Sequence, residues 1–184
     1  GDDLKKSAIY SLGIGAILIV LYITLRFEFS FAIGGILSLL HDIIIAVGFI
    51  ALMGYEVDTP FIAAILTILG YSINDTIVIF DRIRENRSLY KKEPLGENID
   101  KSINQTLNRS LMTSLTTLIC MVPLTIMVSS SIREFVIPLM VGVLVGTYSS
   151  IFLCSPVLYD LSKNDNKSKY QLSKEQKGKR KASK

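Results

Sequence analysis

A single histidine, His41, and two cysteines, Cys120 and Cys154, are all the imidazole and thiol this 184-residue chain contains. One histidine excludes a multi-histidine metal centre. Both cysteines lie in apolar runs, where a thiol behaves as a small hydrophobe, so both are expected buried and neither is expected in a disulfide or a metal site. No glycine loop ends in a phosphate-binding lysine, no helix carries a zinc-ligand pair, and no serine has a histidine placed to activate it. Nothing in the chain reads as an enzyme or as a cofactor site. Charge is also missing over long stretches, and that absence excludes an ordinary soluble domain.

What is present is apolar residue in blocks. The hydrophobic fraction is 49% and the mean hydropathy +0.43. Crossing the hydrocarbon layer takes about 20 residues at about 1.5 Å each. Five segments qualify, at about Ala8–Phe27, Phe31–Met53, Pro60–Phe80, Ser110–Val128 and Phe135–Tyr159. The third has Thr59 as its expected N-cap and Pro60 in its first turn. Pro123, Pro138 and Pro156 are tolerable in or near spans, because neighbouring helices can satisfy freed carbonyls. The predicted fold is an all-α polytopic membrane protein, a bundle of five transmembrane helices over residues 8–160.

Basic residues set the expected orientation. The connection 81–109 carries Arg82, Arg84, Arg87, Lys91, Lys92, Lys101 and Arg109, and the first turn carries Arg26. The turn 54–59 has no Lys or Arg. The positive-inside rule therefore places the connection, the first turn and the C-terminus in the cytoplasm, with the N-terminus outside. Residues 161–184 read as a disordered basic tail, drawn to anionic membrane lipid. No specific nucleic-acid partner is expected. Residues 1–7 begin without Met or a signal peptide and read as a periplasmic linker from an upstream segment. Within the connection, Ile99, Ile103, Leu107 and Leu111 recur every fourth residue, predicting an amphipathic helix that leads into the fourth span, either near the cytoplasmic interface or as an ordinary surface helix.

The chemistry concentrates between Gly70 and Asn86. Asp75, flanked by Asn74 and Thr76, stands in a stretch apolar enough to span. A carboxylate there costs about 2.5–3.5 kcal/mol on insertion scales and by default marks an ion or proton pathway. It lies seven residues before Arg82, or about 10 Å into the bilayer. Burial opposes its charged form and a nearby cation favours it. A carboxyl balanced between the two can load and release a proton; the bland alternative is a carboxylate merely hydrogen-bonded to a neighbouring helix. Arg109 is the candidate counter-charge, with Thr113, Thr116 and Thr117 on the same side of its helix, while Asp81, Arg82 and Arg84 can snorkel to headgroups. The competing reading makes Arg109 an interfacial anchor. His41 and Asp42, midway along the second span, read as a buried structural network or an extension of a hydrated path. Gly142, Gly146 and Ser150 form a small-residue stripe for close helix packing, and Gly13, Gly34, Gly35, Gly48 and Gly70 add others.

Seven stretches together resemble a known family: Tyr22–Phe27, Leu40–Asp42, Gly70–Thr76, Phe80–Asn86, Gln105–Arg109, Thr113–Thr117 and Gly146–Ser150. They resemble, in order and across all five spans, the membrane half of the SecF family of bacterial protein-export subunits. The resemblance implies one half of a resistance-nodulation-division (RND) type transporter in the bacterial inner membrane, with SecD supplying the other half. It implies a first span and a periplasmic domain upstream, without which the segment is expected to be inactive as a motor. It also implies that the proton motive force promotes late steps of export, with protons as the coupling ion and no cofactor. The family's proton-path aspartate and arginine fall on Asp75 and Arg109; Asn74, Thr76, His41, Asp42, Thr113 and Thr116 are candidates for a supporting polar network. A further acidic residue of the path belongs to SecD. The partners implied are SecD, the SecYEG translocon, the translocating preprotein and accessory proteins of the YajC and YidC types. Other readings are half of an RND exporter of lipids or small molecules, a translocon scaffold, and an intramembrane aspartyl protease using Asp42 with Asp75.

Overall fold

The computed structural model of the chain describes residues 2–55, 58–90, 93–127 and 129–163. Five helices follow one another: α1 (Asp2–Arg26), α2 (Phe29–Met53), α3 (Thr59–Leu89), α4 (Leu95–Met127) and α5 (Ser130–Phe152). Four helices are long and apolar enough to cross a membrane: Phe29–Met53, Thr59–Leu89, Leu95–Met127 and the α5 helix with its continuation, Ile132–Lys163. The apolar part of α1 is shorter, Tyr10–Arg26. The described part of the chain is thus an all-α multi-pass membrane bundle. The basic tail from residue 164 onward lies outside the described residues.

Local chemistry sets the helix ends. Gly54 closes α2 in the left-handed region at φ +70°, where a side chain would be strained. Asp58, one residue before the expected cap, is the N-cap of α3 and accepts from the Phe61 amide at 3.0 Å. A carboxylate there satisfies an orphan donor at the positive end of the helix dipole. After Phe152 the helix breaks at Leu153 and resumes over residues 154–163. Pro156 explains the break, since it has no amide proton to return to the preceding turn.

The connection between the third and fourth spans is mostly helical. α3 runs on to Leu89 and α4 already begins at Leu95, so the expected amphipathic helix leading into the fourth span is the first part of α4. Ile99 is buried at 4% exposure, with Ile103 and Leu107 packed against the core, while Leu111 is half-exposed. Apolar residues at four-residue spacing suit a helix flank against α5 as well as a membrane surface, and the core wins.

α5 packs against α2, α3 and α4, most extensively against α3, and α1 rests on α2 and α3. The stripe on α5 allows this approach. A methyl group at Gly142 would overlap Ile68, and one at Gly146 would stand 3.0 Å from Ser72 Cβ. Gly34 and Gly35 likewise meet neighbours, whereas Gly13, Gly48 and Gly70 face open space. At the end carrying the α1–α2 turn, Phe27, Phe31 and Phe80 form an aromatic cluster, with Phe31 and Phe80 edge to face at 4.9 Å. Arg26 pairs there with Asp81 at 3.2 Å, and Arg84 donates to the Arg26 carbonyl at 3.2 Å.

Candidate functional site

Asp75 points into the bundle at 7% exposure. Its Oδ1 accepts from Ser110 Oγ of α4 at 2.7 Å, and its Oδ2 from Ser150 Oγ of α5 at 3.4 Å. The carboxyl is thus held where α3, α4 and α5 meet. One turn away along α3, Tyr71 donates to Ser114 Oγ at 3.3 Å, and Ser114 and Thr147 share a hydrogen bond at 2.5 Å. Hydroxyls from three helices therefore continue the polar interior beyond the carboxyl.

Asp42 forms a second buried node. It is fully enclosed and accepts from Ser72 of α3, from Ser149 of α5 at 2.8 Å, and meets His41 Nδ1 at 3.0 Å. Ser38 adds a bond to Ser149 at 3.0 Å. Three partners around one carboxylate saturate much of its acceptor capacity. Asp42 and Asp75 have separate partners, so the structure does not build the proton-sharing pair that an aspartyl protease needs.

The outer face carries the other residues singled out in the sequence. Asn74, Arg109, Thr113 and Thr116 are exposed on α3 and α4. Thr113 donates to the Arg109 carbonyl at 2.8 Å and Thr116 to the Met112 carbonyl at 2.9 Å. Thr76 is buried at 1%. Among the described residues, Asn74, Thr76, Thr113 and Thr116 make no hydrogen bond to Asp75. Arg109 lies within electrostatic reach of Asp75, and among the described residues its side chain has no ion pair or hydrogen bond. Its neighbour Ser110 touches the carboxyl instead, because successive side chains diverge by about 100° around a helix.

The charges expected to reach headgroups also have protein partners: Asp81 with Arg26, Arg82 with Gln105 at 2.7 Å and Glu85 at 2.5 Å, and Arg84 with the Arg26 carbonyl. The expected burial of both cysteines is corrected. Cys154 is fully buried, but Cys120 is exposed, because it stands on the outer face of α4, which none of the described helices covers.

The residues that reading by type missed are the serines. Asn98, Ser102, Thr106, Ser110 and Ser114 are all buried on α4, and their strict four-residue spacing marks one inward polar stripe. Between this stripe and α3 opens a cleft of about 500 Å³ lined by Val78, Asp81, Arg82, Glu85, Gln105, Thr106 and Arg109.

In a helical membrane bundle, a buried carboxyl held by hydroxyls at a three-helix junction is a candidate functional site. The family described as "Protein export membrane protein SecD/SecF, C-terminal" matches residues 1–164. The chain is 51% identical over 160 residues to the protein translocase subunit SecF of Sebaldella termitidis, covering 86% of this chain and 52% of that protein. It is 46% identical over 158 residues to the protein translocase subunit SecDF of Thermus thermophilus, covering 86% of this chain and 22% of that protein. A crystal structure of SecDF in the super-membrane-facing form matches with a TM-score of 0.84 at 43% identity, covering 94% of this chain and 23% of the other. The chain belongs to the SecD/SecF C-terminal family and has its RND-like membrane fold. It spans about half the length of the SecF relative from Sebaldella termitidis.

Proposed function

We propose that this chain is the membrane half of a SecF-type accessory subunit of the Sec translocase. In this reading it uses the proton motive force to promote late steps of protein export across the bacterial inner membrane. Asp75 relays the proton and Arg109 is its counter-charge. The observation that carries the reading is the 2.7 Å bond from Ser110 to Asp75 inside a membrane-spanning helix. A hydroxyl can donate to the ionised carboxyl and accept from the neutral one, so the same contact serves both states. One charge moving through 100 mV yields about 2.3 kcal/mol, enough to bias a domain equilibrium roughly fifty-fold.

Arg109 cannot itself deprotonate, so its role is to offset the charge left on Asp75. The uncovered face of Gly70, Asn74, Arg109 and Thr113 is the docking side for the SecD half, which brings its own acidic residue. The N-terminus lies outside and the α3–α4 turn in the cytoplasm. SecYEG, the preprotein and YajC- and YidC-type proteins are the wider partners, with protons as the coupling ion and no cofactor.

The test is export of a secreted reporter in cells whose SecF is the full-length protein carrying Asp75→Asn, with assembly checked by co-purification of SecD. Assembly with loss of proton-driven stimulation supports the relay. Unchanged export with the complex intact overturns it and leaves a scaffold.

A further inference from the structure

We propose that the groove between the start of α4 and the helix following Leu153 binds one phosphatidylethanolamine molecule, with its ammonium on Asp100 and its phosphate on Lys163. The proposal does not rest on the relay reading of Asp75. The groove encloses about 510 Å³ and is walled by Ile99, Ile103, Ile151, Phe152 and Pro156, with Asp100, Ser155 and Tyr159 as its polar members. Walls this apolar hold water poorly and suit an acyl chain.

Depth decides what fills it. Ser150 and Ser110 both meet Asp75, which lies about 10 Å into the bilayer. Counting along α5 from Ser150, Ile151 and Phe152 lie about 7–9 Å inside the hydrocarbon and Ser155 about 2–3 Å inside. Tyr159 lies about 3–4 Å beyond the boundary, and Asp100, ten residues before Ser110, about 5 Å beyond. The headgroup layer is itself about 5–7 Å thick. One groove thus leads from the acyl chains past the ester level to the headgroups, the course of a lipid rather than of a soluble peptide.

The polar members match the lipid in the same order. Ser155 is 2% exposed, and among the described residues its hydroxyl has no hydrogen-bond partner. A serine in a membrane helix usually donates back to its own preceding turn, and a buried hydroxyl left free calls for a partner from outside the chain. An ester carbonyl supplies that acceptor. Lys163 folds back over the Tyr159 ring, with Nζ 5.6 Å from its centroid. Among the described residues, neither the Asp100 carboxylate nor the Lys163 ammonium has an ion-pair partner. An unpaired carboxylate and an unpaired ammonium at one end of the groove complement a headgroup whose ammonium and phosphate are two carbons apart. Selectivity follows from the ammonium, which donates three N–H bonds as lysine does. The quaternary nitrogen of phosphatidylcholine donates none, and phosphatidylglycerol carries no cation.

The test places the full-length protein in phosphatidylglycerol vesicles with a trace of phosphatidylethanolamine carrying a diazirine on its acyl chain. After irradiation, the crosslinked peptides are mapped by mass spectrometry. Labelling within residues 96–103 and 151–159 is expected to be at least about fivefold denser than at Ile17 and Leu21, exposed apolar residues of α1. Exchanging part of the phosphatidylglycerol for unlabelled phosphatidylethanolamine should displace this label, while the same amount of phosphatidylcholine should not. Asp100→Asn should lower groove labelling about fivefold and leave labelling of α1 unchanged. Where that variant fails to accumulate, Ile103→Trp, which fills the groove, should abolish labelling at Phe152. Groove labelling no denser than on α1, or displaced equally by phosphatidylcholine, marks bulk lipid and overturns the proposal. Absence of groove labelling, as with a protein segment seated there, overturns it, and so does labelling that Asp100→Asn leaves unchanged.

Discussion

Ser149 and Ser150, consecutive residues of α5, bind different carboxylates: Ser149 donates to Asp42 at 2.8 Å and Ser150 to Asp75 at 3.4 Å. Successive side chains on a helix diverge by about 100°, so one helix reaches α2 with the first hydroxyl and α3 with the second. The Asp42 bond is short and its acceptor fully enclosed, whereas the Asp75 bond is long. Removing a donor from a buried charge costs about 1–3 kcal/mol. Ser149→Ala is therefore expected to lower stability in a denaturing-detergent titration by about that amount, and Ser150→Ala by less than about 1 kcal/mol. Equal losses would contradict this division.

Asp42 has the larger set of hydrogen-bond partners of the pair. Asp42→Asn turns one of the two oxygens that meet Ser72, Ser149 and His41 into an NH2 donor, so at least one of these contacts must be rearranged or lost. The expected result is a loss of about 1–3 kcal/mol and poor accumulation in the membrane. Asp75→Asn, whose site has only two described hydroxyl partners, one of them at 3.4 Å, should accumulate normally. Measuring the level of each variant in membranes separates the two. Wild-type stability of Asp42→Asn would give Asp42 a role other than holding α2 to α3 and α5.

The length of the apolar blocks made the bundle legible, and the apolar surroundings of Asp75 made its burial legible. Less of the rest could be read. The four-residue spacing over residues 99–111 marked a helix in the connection, but not that α3 runs on to Leu89 and α4 starts at Leu95, since helix periodicity does not stop where hydropathy does. Arg109, Thr113 and Thr116 stood out by residue type, but in the adjacent register Ser110 meets the carboxyl and Ser114 meets the hydroxyls of Tyr71 and Thr147. A single serine in a membrane helix usually bonds back to its own turn and carries no signal. The run Asn98, Ser102, Thr106, Ser110, Ser114 does carry one, through spacing alone. Which α5 hydroxyl meets which carboxylate depends on helix–helix register, which no single helix encodes.

The α3–α5 contact offers a test of close packing. A methyl at Gly142 would overlap the Ile68 side chain, and overpacking costs about 1–3 kcal/mol. Ile68→Ala alone should cost about 2–5 kcal/mol through the cavity it leaves. The double variant should be more stable than the sum of the two losses predicts, by about 1 kcal/mol or more, because the new methyl occupies the vacated space. Strict additivity in a double-mutant cycle would show that the helices move apart instead of interlocking.

Gly70 poses the opposite case. It lies on the same uncovered face as Asn74, and a Cβ there meets nothing within 4 Å. Within this chain, Gly70→Leu should therefore leave the bundle as stable as before, with leucine's better helix propensity adding up to about 1 kcal/mol. A small residue on an exposed stripe lets a second helix approach closely, and a leucine would hold that helix away. If the SecD half docks on this face, Gly70→Leu should reduce co-purification of SecD roughly tenfold or more while Gly48→Leu, on an open position of α2, does not. Equal recovery with both variants would move the docking surface away from the Asp75 helix and would leave Arg109 facing lipid rather than a partner.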